Sequence, residues 1–167
     1  MCLSHRLTLC AAALALSVAL LVGGRGEPWL IYNGSPSAPV GFYLRTGASP
    51  ATNTYVTVRA AEVAPLYAAL RGFDDPTDRF IKRVAAGPGD HVCAAGAEVV
   101  IEGYGAVARL ERDAMGRPLP AWTGCRSLGD DEVFLIGGTT ESFDSRYWGP
   151  VRRDAIDGVW RRMGEAS

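Results

Sequence analysis

A mostly β domain is what this sequence predicts, and three observations carry the prediction. Short stretches rich in Val, Ile, Tyr and Phe recur between turns marked by Gly and Pro. A single segment, Ala61 to Leu70, has the composition and punctuation of a helix, with Pro65 in its first turn and Gly72 just past its end. No Gly/Ser/Pro-rich linker divides the chain after its N-terminal apolar run, so residues 26–167 read as one domain. At 167 residues and 48% hydrophobic content, there is enough chain to bury one core.

The elements follow in order. Leu7 to Gly24 is an uncharged run rich in Ala, Leu and Val, long enough to cross a bilayer, which takes roughly 17 to 25 residues. A cleaved secretory signal is the alternative, and Val22-Gly23-Gly24 makes a poor cleavage site for it. We read residues 1–25 as an uncleaved anchor, with His5, Arg6 and the amino terminus on the cytoplasmic side. Trp29 to Tyr32 is expected as a short strand near the membrane surface. Asn33 to Tyr43 follows as an irregular path set by two prolines and two glycines, carrying Ser35 and Ser37. Strands are expected at Thr54–Arg59, Phe80–Val84, His91–Cys93, Glu98–Ile101 and Val133–Ile136, with a last one in Ile156–Met163. Arg109 to Gly124, charged and then Pro-rich, reads as a surface excursion tied back at Cys125.

Composition excludes several functions. A formal net charge of -1 with no basic stripe argues against nucleic-acid binding. Neither a phosphate loop nor a dinucleotide glycine pattern occurs, and no cofactor is expected. Cys93 and Cys125 lack metal-site spacing and there is no histidine cluster beside them, so no metal centre is expected. In an exported domain the two cysteines are read as a disulfide ahead of two buried thiols. His91 is the sole histidine after the apolar run, and it opens a strand behind a Pro-Gly-Asp turn, so a histidine-based serine hydrolase fits poorly.

The chemistry concentrates at Lys82. Of 17 basic side chains it is the only lysine, set in Arg79-Phe80-Ile81-Lys82-Arg83-Val84 and followed by the turn Gly87-Pro88-Gly89-Asp90. Period-two alternation puts it on the face of Phe80 and Val84. An amine on an apolar face can be driven neutral, which arginine cannot, and a neutral lysine can deprotonate a serine. The plain alternative is a leftover surface charge in an arginine-rich composition.

Three boxes now carry a resemblance. Asn33-Gly34-Ser35-Pro36-Ser37-Ala38-Pro39-Val40-Gly41-Phe42-Tyr43, Phe80-Ile81-Lys82-Arg83-Val84 with its Pro-Gly-Asp turn, and Ser142-Phe143-Asp144-Ser145-Arg146 stand in this order behind the apolar run. Together they resemble the type I signal peptidase superfamily in its TraF-like conjugative-transfer form. The resemblance implies a signal-peptidase-like β domain with a Ser/Lys dyad behind a transmembrane helix. In it Ser37 is the nucleophile and Lys82 the base, Ser35 donates to the oxyanion, Ser142 orients Lys82, and Asp144 and Arg146 form a supporting ion pair. It also supports the Cys93–Cys125 disulfide. The implied substrate is an exported precursor with small residues before the cut, in the TraF-like case a conjugative pilin, which some members cyclise. The implied location is the bacterial inner membrane, single-pass, with the catalytic domain extracytoplasmic and in the company of type IV secretion components. The match departs at Gly137-Gly138, where Gly-Asp is usual, and a less rigid segment is expected there. A housekeeping signal peptidase and a non-catalytic anchored assembly factor are the rival readings.

Overall fold

A computed structural model describes residues 27–73 and 75–164. The expected anchor lies outside the described residues, and no described helix is long and apolar enough to cross a membrane. The fold is mostly β, with all strand pairs antiparallel.

Strands β1 (Leu30–Asn33) and β2 (Gly41–Thr46) form a hairpin whose last pair is Asn33 with Gly41, so residues 34–40 are its connection. The two serines therefore sit on a loop held at both ends by strand pairing. Strands β3 (Tyr55–Arg59), β4 (Arg79–Ala86), β9 (Glu132–Ile136), β10 (Val151–Arg152) and β11 (Ile156–Arg162) complete a seven-stranded sheet in the order β1-β2-β11-β3-β4-β9-β10. Strand β4 lies between β3 and β9, pairing Val56 with Lys82 on one side and Arg83 with Ile136 on the other. Its faces part as the alternation predicts. Phe80 and Val84 join the cluster of Val56, Val58, Val133, Leu135, Val151 and Val159, whereas Ile81 packs with Ala38, Tyr43 and Trp160.

The turn at Gly87–Asp90 folds the chain into the second sheet. Gly89 takes φ +85°, and the Asp90 carboxylate accepts from the Gly87 N–H at 2.8 Å, closing the turn. Strands β5 (His91–Ala95), β6 (Glu98–Ile101), β7 (Gly105–Ala108) and β8 (Cys125–Ser127) then run in the order β7-β6-β5-β8. Val92, Val99 and Ile101 of this sheet bury Ala85, Ala86, Phe134 and Ile136 of the larger one, which joins the two sheets through one core. Cys93 and Cys125 are cross-strand partners and are disulfide-bonded.

The helical expectation needs correcting. The segment is two helices, α1 (Ala60–Val63) and α2 (Pro65–Arg71), broken at Ala64 with φ −150° and ψ 63°. Proline drives the residue before it out of the α region and has no N–H to continue the ladder, so Pro65 starts a new helix rather than sitting inside one. Gly72 closes α2 in the left-handed conformation at φ 68°. A third helix, α3 (Ser145–Trp148), is a single turn whose N-cap is Asp144, accepting from the Arg146 N–H.

The disulfide closes a loop with a sequence separation of 32 and ties down the end of the 109–124 excursion. Replacing both cysteines, Cys93→Ser with Cys125→Ser, is expected to lower unfolding free energy by about 3 kcal/mol in urea titration. Limited proteolysis of the same variant should cut first within 109–124.

Candidate active site

Local chemistry builds the serine loop. Asn33 is buried, and its Nδ2 donates to the carbonyls of Ser35 and Ala38, both at 2.9 Å, while its Oδ1 accepts from the Ser35 N–H at 3.1 Å. One side chain thus satisfies three backbone groups of a loop that cannot join a sheet ladder. Tyr43 Oη donates to the Pro39 carbonyl at 2.6 Å from the far end. Gly138 N–H donates to the Ser37 carbonyl at 2.7 Å, fastening the loop to the segment after β9. Within it, Ser35 Oγ and Ser37 Oγ are 2.7 Å apart.

Lys82 is 3% exposed. Burial pushes its ε-amine down from 10.5 to about 8; the Asp144 carboxylate opposes the shift and the Arg146 guanidinium adds to it. The amine stands over the Phe80 ring, 5.7 Å from its centroid.

The third segment leaves β9 at Gly137, which faces Lys82 when the β4–β9 register is continued by one residue. Asp144 and Arg146 form a bidentate pair, Nε to Oδ1 at 2.8 Å and Nη2 to Oδ2 at 2.7 Å, and are 0% and 2% exposed. The guanidinium also donates to the carbonyls of Thr139, Ser142 and Ala108, at 2.9, 2.9 and 2.7 Å, and Asp144 Oδ2 accepts from the Gly137 N–H at 2.8 Å. A buried ion pair here serves as a template for loop backbone. The segment with Gly137-Gly138 is tied at both N–H groups, to Asp144 Oδ2 and to the Ser37 carbonyl. A glycine is required at 137, since a Cβ would lie 2.3 Å from Ser142 Oγ.

These three segments meet in a cleft of about 300 Å³ lined by Ser35, Ser37, Lys82 and Ser142, with Tyr67, Phe80 and Phe143 among its walls. Asp144 and Arg146 sit behind it and do not line it. Ser142 Oγ is 3.1 Å from Thr139 Oγ1, a partner the sequence did not single out. The Cys93–Cys125 bridge lies in the other sheet, away from the cleft, as does His91. Among the described residues one cluster has metal-ligand proximity, His91, Cys93 and Cys125, and its two sulfurs are bonded to each other. In the sequence Asn33 stands out only as the head of the first box and Gly137 only as a departure, and Thr139 does not stand out. The signal for Asn33 was present, since an Asn heading a Pro-rich loop is placed to bond the backbone ahead of it.

Comparison with known proteins identifies the family. The family model described as signal peptidase, peptidase S26 matches residues 8–163. The chain belongs to this family. A plasmid transfer protein TraF from Escherichia coli is 34% identical to this S26 peptidase over 162 residues, covering 90% of this chain and 88% of that one. A second Escherichia coli protein of the same name is 30% identical over 164 residues, covering 87% and 88%. A solved signal peptidase I from Enterococcus faecalis aligns with a TM-score of 0.40 at 16% identity, over 68% of this chain and 98% of that one. Family membership makes this a peptidase of the kind that acts on exported precursor proteins.

Gly137→Ala tests how closely this TraF-like peptidase packs its cleft. The added methyl has no room beside Ser142, so a loss of about 1–3 kcal/mol in thermal unfolding is expected. Displacement of Ser142 in a crystal structure of the variant should accompany it.

Proposed function

We propose that this chain is a membrane-anchored serine endopeptidase that cleaves exported precursors with a Ser37/Lys82 dyad, the precursor being a conjugative pilin. The observation that carries the reading is the burial of the sole lysine on a wall shared with two serines of a constrained loop. In the reaction Ser37 Oγ attacks the scissile carbonyl and its proton passes to neutral Lys82 Nζ. The Ser37 N–H and the Ser35 hydroxyl donate to the oxyanion, and Ser142 keeps the amine on line. Protonated Lys82 then gives the proton to the leaving amine. The acyl group on Ser37 goes to water, or to an amino terminus if the product is cyclised.

Strand β1 is an edge of the seven-stranded sheet and leads directly into the serine loop, which supports an extended substrate adding beside it. The likeness to plasmid transfer proteins supports a pilin over a general secretory precursor. The apolar run Leu7 to Gly24 supports a single-pass anchor in the inner membrane, and the disulfide supports an extracytoplasmic domain.

The test is precursor cleavage in membranes. Ser37→Ala and Lys82→Arg are each expected to lower the rate at least about a thousandfold while remaining folded, and Ser35→Ala about a hundredfold. The rate should follow the neutral fraction of the amine. With the amine at about 8, only about a tenth is neutral at pH 7, so activity climbs with pH and levels off above 8. Full activity of Lys82→Arg, or a rate flat from pH 6 to 8, would remove the dyad.

A further inference from the structure

The cleft wall formed by α2 is poorly held by its own helix. Its seven residues bury only Ala68 completely, while Leu66 and Leu70 are 83% and 69% exposed. A helix this short has little stability of its own. Yet it presents Tyr67 and Arg71 to the cleft, and Phe73 follows just behind.

Besides the stack of Tyr67 on Phe143, with ring centroids 3.5 Å apart, the 109–124 excursion holds it. The tip of this excursion is a turn in which Asp113 Oδ1 accepts from the Met115 N–H at 2.8 Å and the Arg117 N–H at 3.0 Å. Asp113 Oδ2 accepts from Arg117 Nε at 2.8 Å and from Arg71 Nη2 of α2 at 2.7 Å. Four donors converge on one carboxylate whose side chain is 4% exposed. Burial alone would raise its affinity for a proton, but the hydrogen bonds from Arg117, and then from Arg71 and the Met115 N–H, hold it well below the usual carboxylate range. Arg117 Nη1 donates in turn to the Leu70 carbonyl at 3.2 Å, at the end of α2 where carbonyls lack helical partners. The arms of the excursion reach the opposite wall. Leu119 packs on the cluster that contains Phe143 and Tyr147, the Leu110 N–H donates to Tyr147 Oη at 3.1 Å, and Arg146 takes the Trp122 N–H on its carbonyl at 3.3 Å.

We propose that Asp113 is a positioning residue for substrate: by joining Arg71 to Arg117 it sets α2 as the wall of the cleft, so the excursion governs how tightly a precursor is held rather than how fast its bond is cut. The inference rests on the cleft being the peptidase site proposed above. Neither Asp113 nor Arg117 lines the cleft, so removing them leaves the reacting groups untouched.

The experiment uses the full chain in membranes and a fluorogenic peptide with Ala-x-Ala before the scissile bond. Asp113→Asn and Arg117→Met are each expected to raise KM about five- to tenfold with kcat within about twofold. The double variant should be no worse than the poorer single, because both changes undo one clamp. Asp113→Glu, which can still bridge the two arginines, should recover most of the loss. Hydrogen exchange across Pro65–Arg71 should quicken at least about tenfold in Asp113→Asn. KM within twofold of wild type, kcat falling by as much as KM rises, or additive losses in the double variant would each overturn the proposal. If wild type cuts no such peptide, the peptidase reading fails for that probe, and unchanged exchange in α2 then rejects the clamp independently. Should Asp113→Asn not fold, Arg117→Met alone must give the same KM rise and the faster exchange.

Discussion

The desolvation of one amine is the constraint on which this architecture turns. Lys82 cannot move away from its apolar face, because β4 is paired on both sides, to β3 through Val56 and to β9 through the next residue, Arg83. A shift from 10.5 to about 8 corresponds to a folding penalty of about 3 kcal/mol at neutral pH. Below pH 8 folded and unfolded chains both carry the proton, and the penalty is felt in full. Between 8 and 10.5 the folded amine is neutral while the unfolded one is still charged, so stability rises with pH across that window. Above 10.5 the penalty is gone. A sheet with a core as continuous as Val56, Val58, Val84, Leu135 and Val159 can carry such a cost.

Supports around the cleft share a logic. Each loop that must stay irregular to present a hydroxyl is satisfied by buried polar side chains: Asn33 for the serine loop, and the Asp144–Arg146 pair for the loop bearing Ser142. The ion pair is expensive to desolvate, and its return lies in geometry rather than net stability, because Arg146 fixes three loop carbonyls at once. Gly137 permits the close approach of Ser142 to the end of β9, where the β4 register brings Lys82. The disulfide acts at a distance, anchoring an excursion that braces both walls.

Much of this was legible in the sequence because it rests on short-range rules. Alternation gave the side of β4 on which Lys82 stands, and prolines marked the loop that carries Ser35 and Ser37. The boxes around Ser37, Lys82 and Ser142 pointed to one family, and the S26 match over residues 8–163 agrees. The break at Ala64 was also readable, since the residue before Pro65 resists the α region, but the apolar pattern across it masked the break. Helix α3 escaped because one turn has no periodicity to detect. Strands β2 and β7 open on glycines at hairpin turns, and the short β8 and β10 depend on partners distant in the chain, β5 and β9. The Asp113 clamp joins residues 42 apart, a pairing that no local pattern encodes.

Because Lys82 is the only lysine, labelling the chain with carbon-13 lysine yields a single ε-carbon resonance, and its titration reads the amine directly in the intact protein. The account predicts a midpoint near 8 that moves back toward 10.5 on unfolding in urea. A midpoint near 10.5 in the folded chain would contradict it, for a lysine that holds its proton to that pH cannot take one from Ser37.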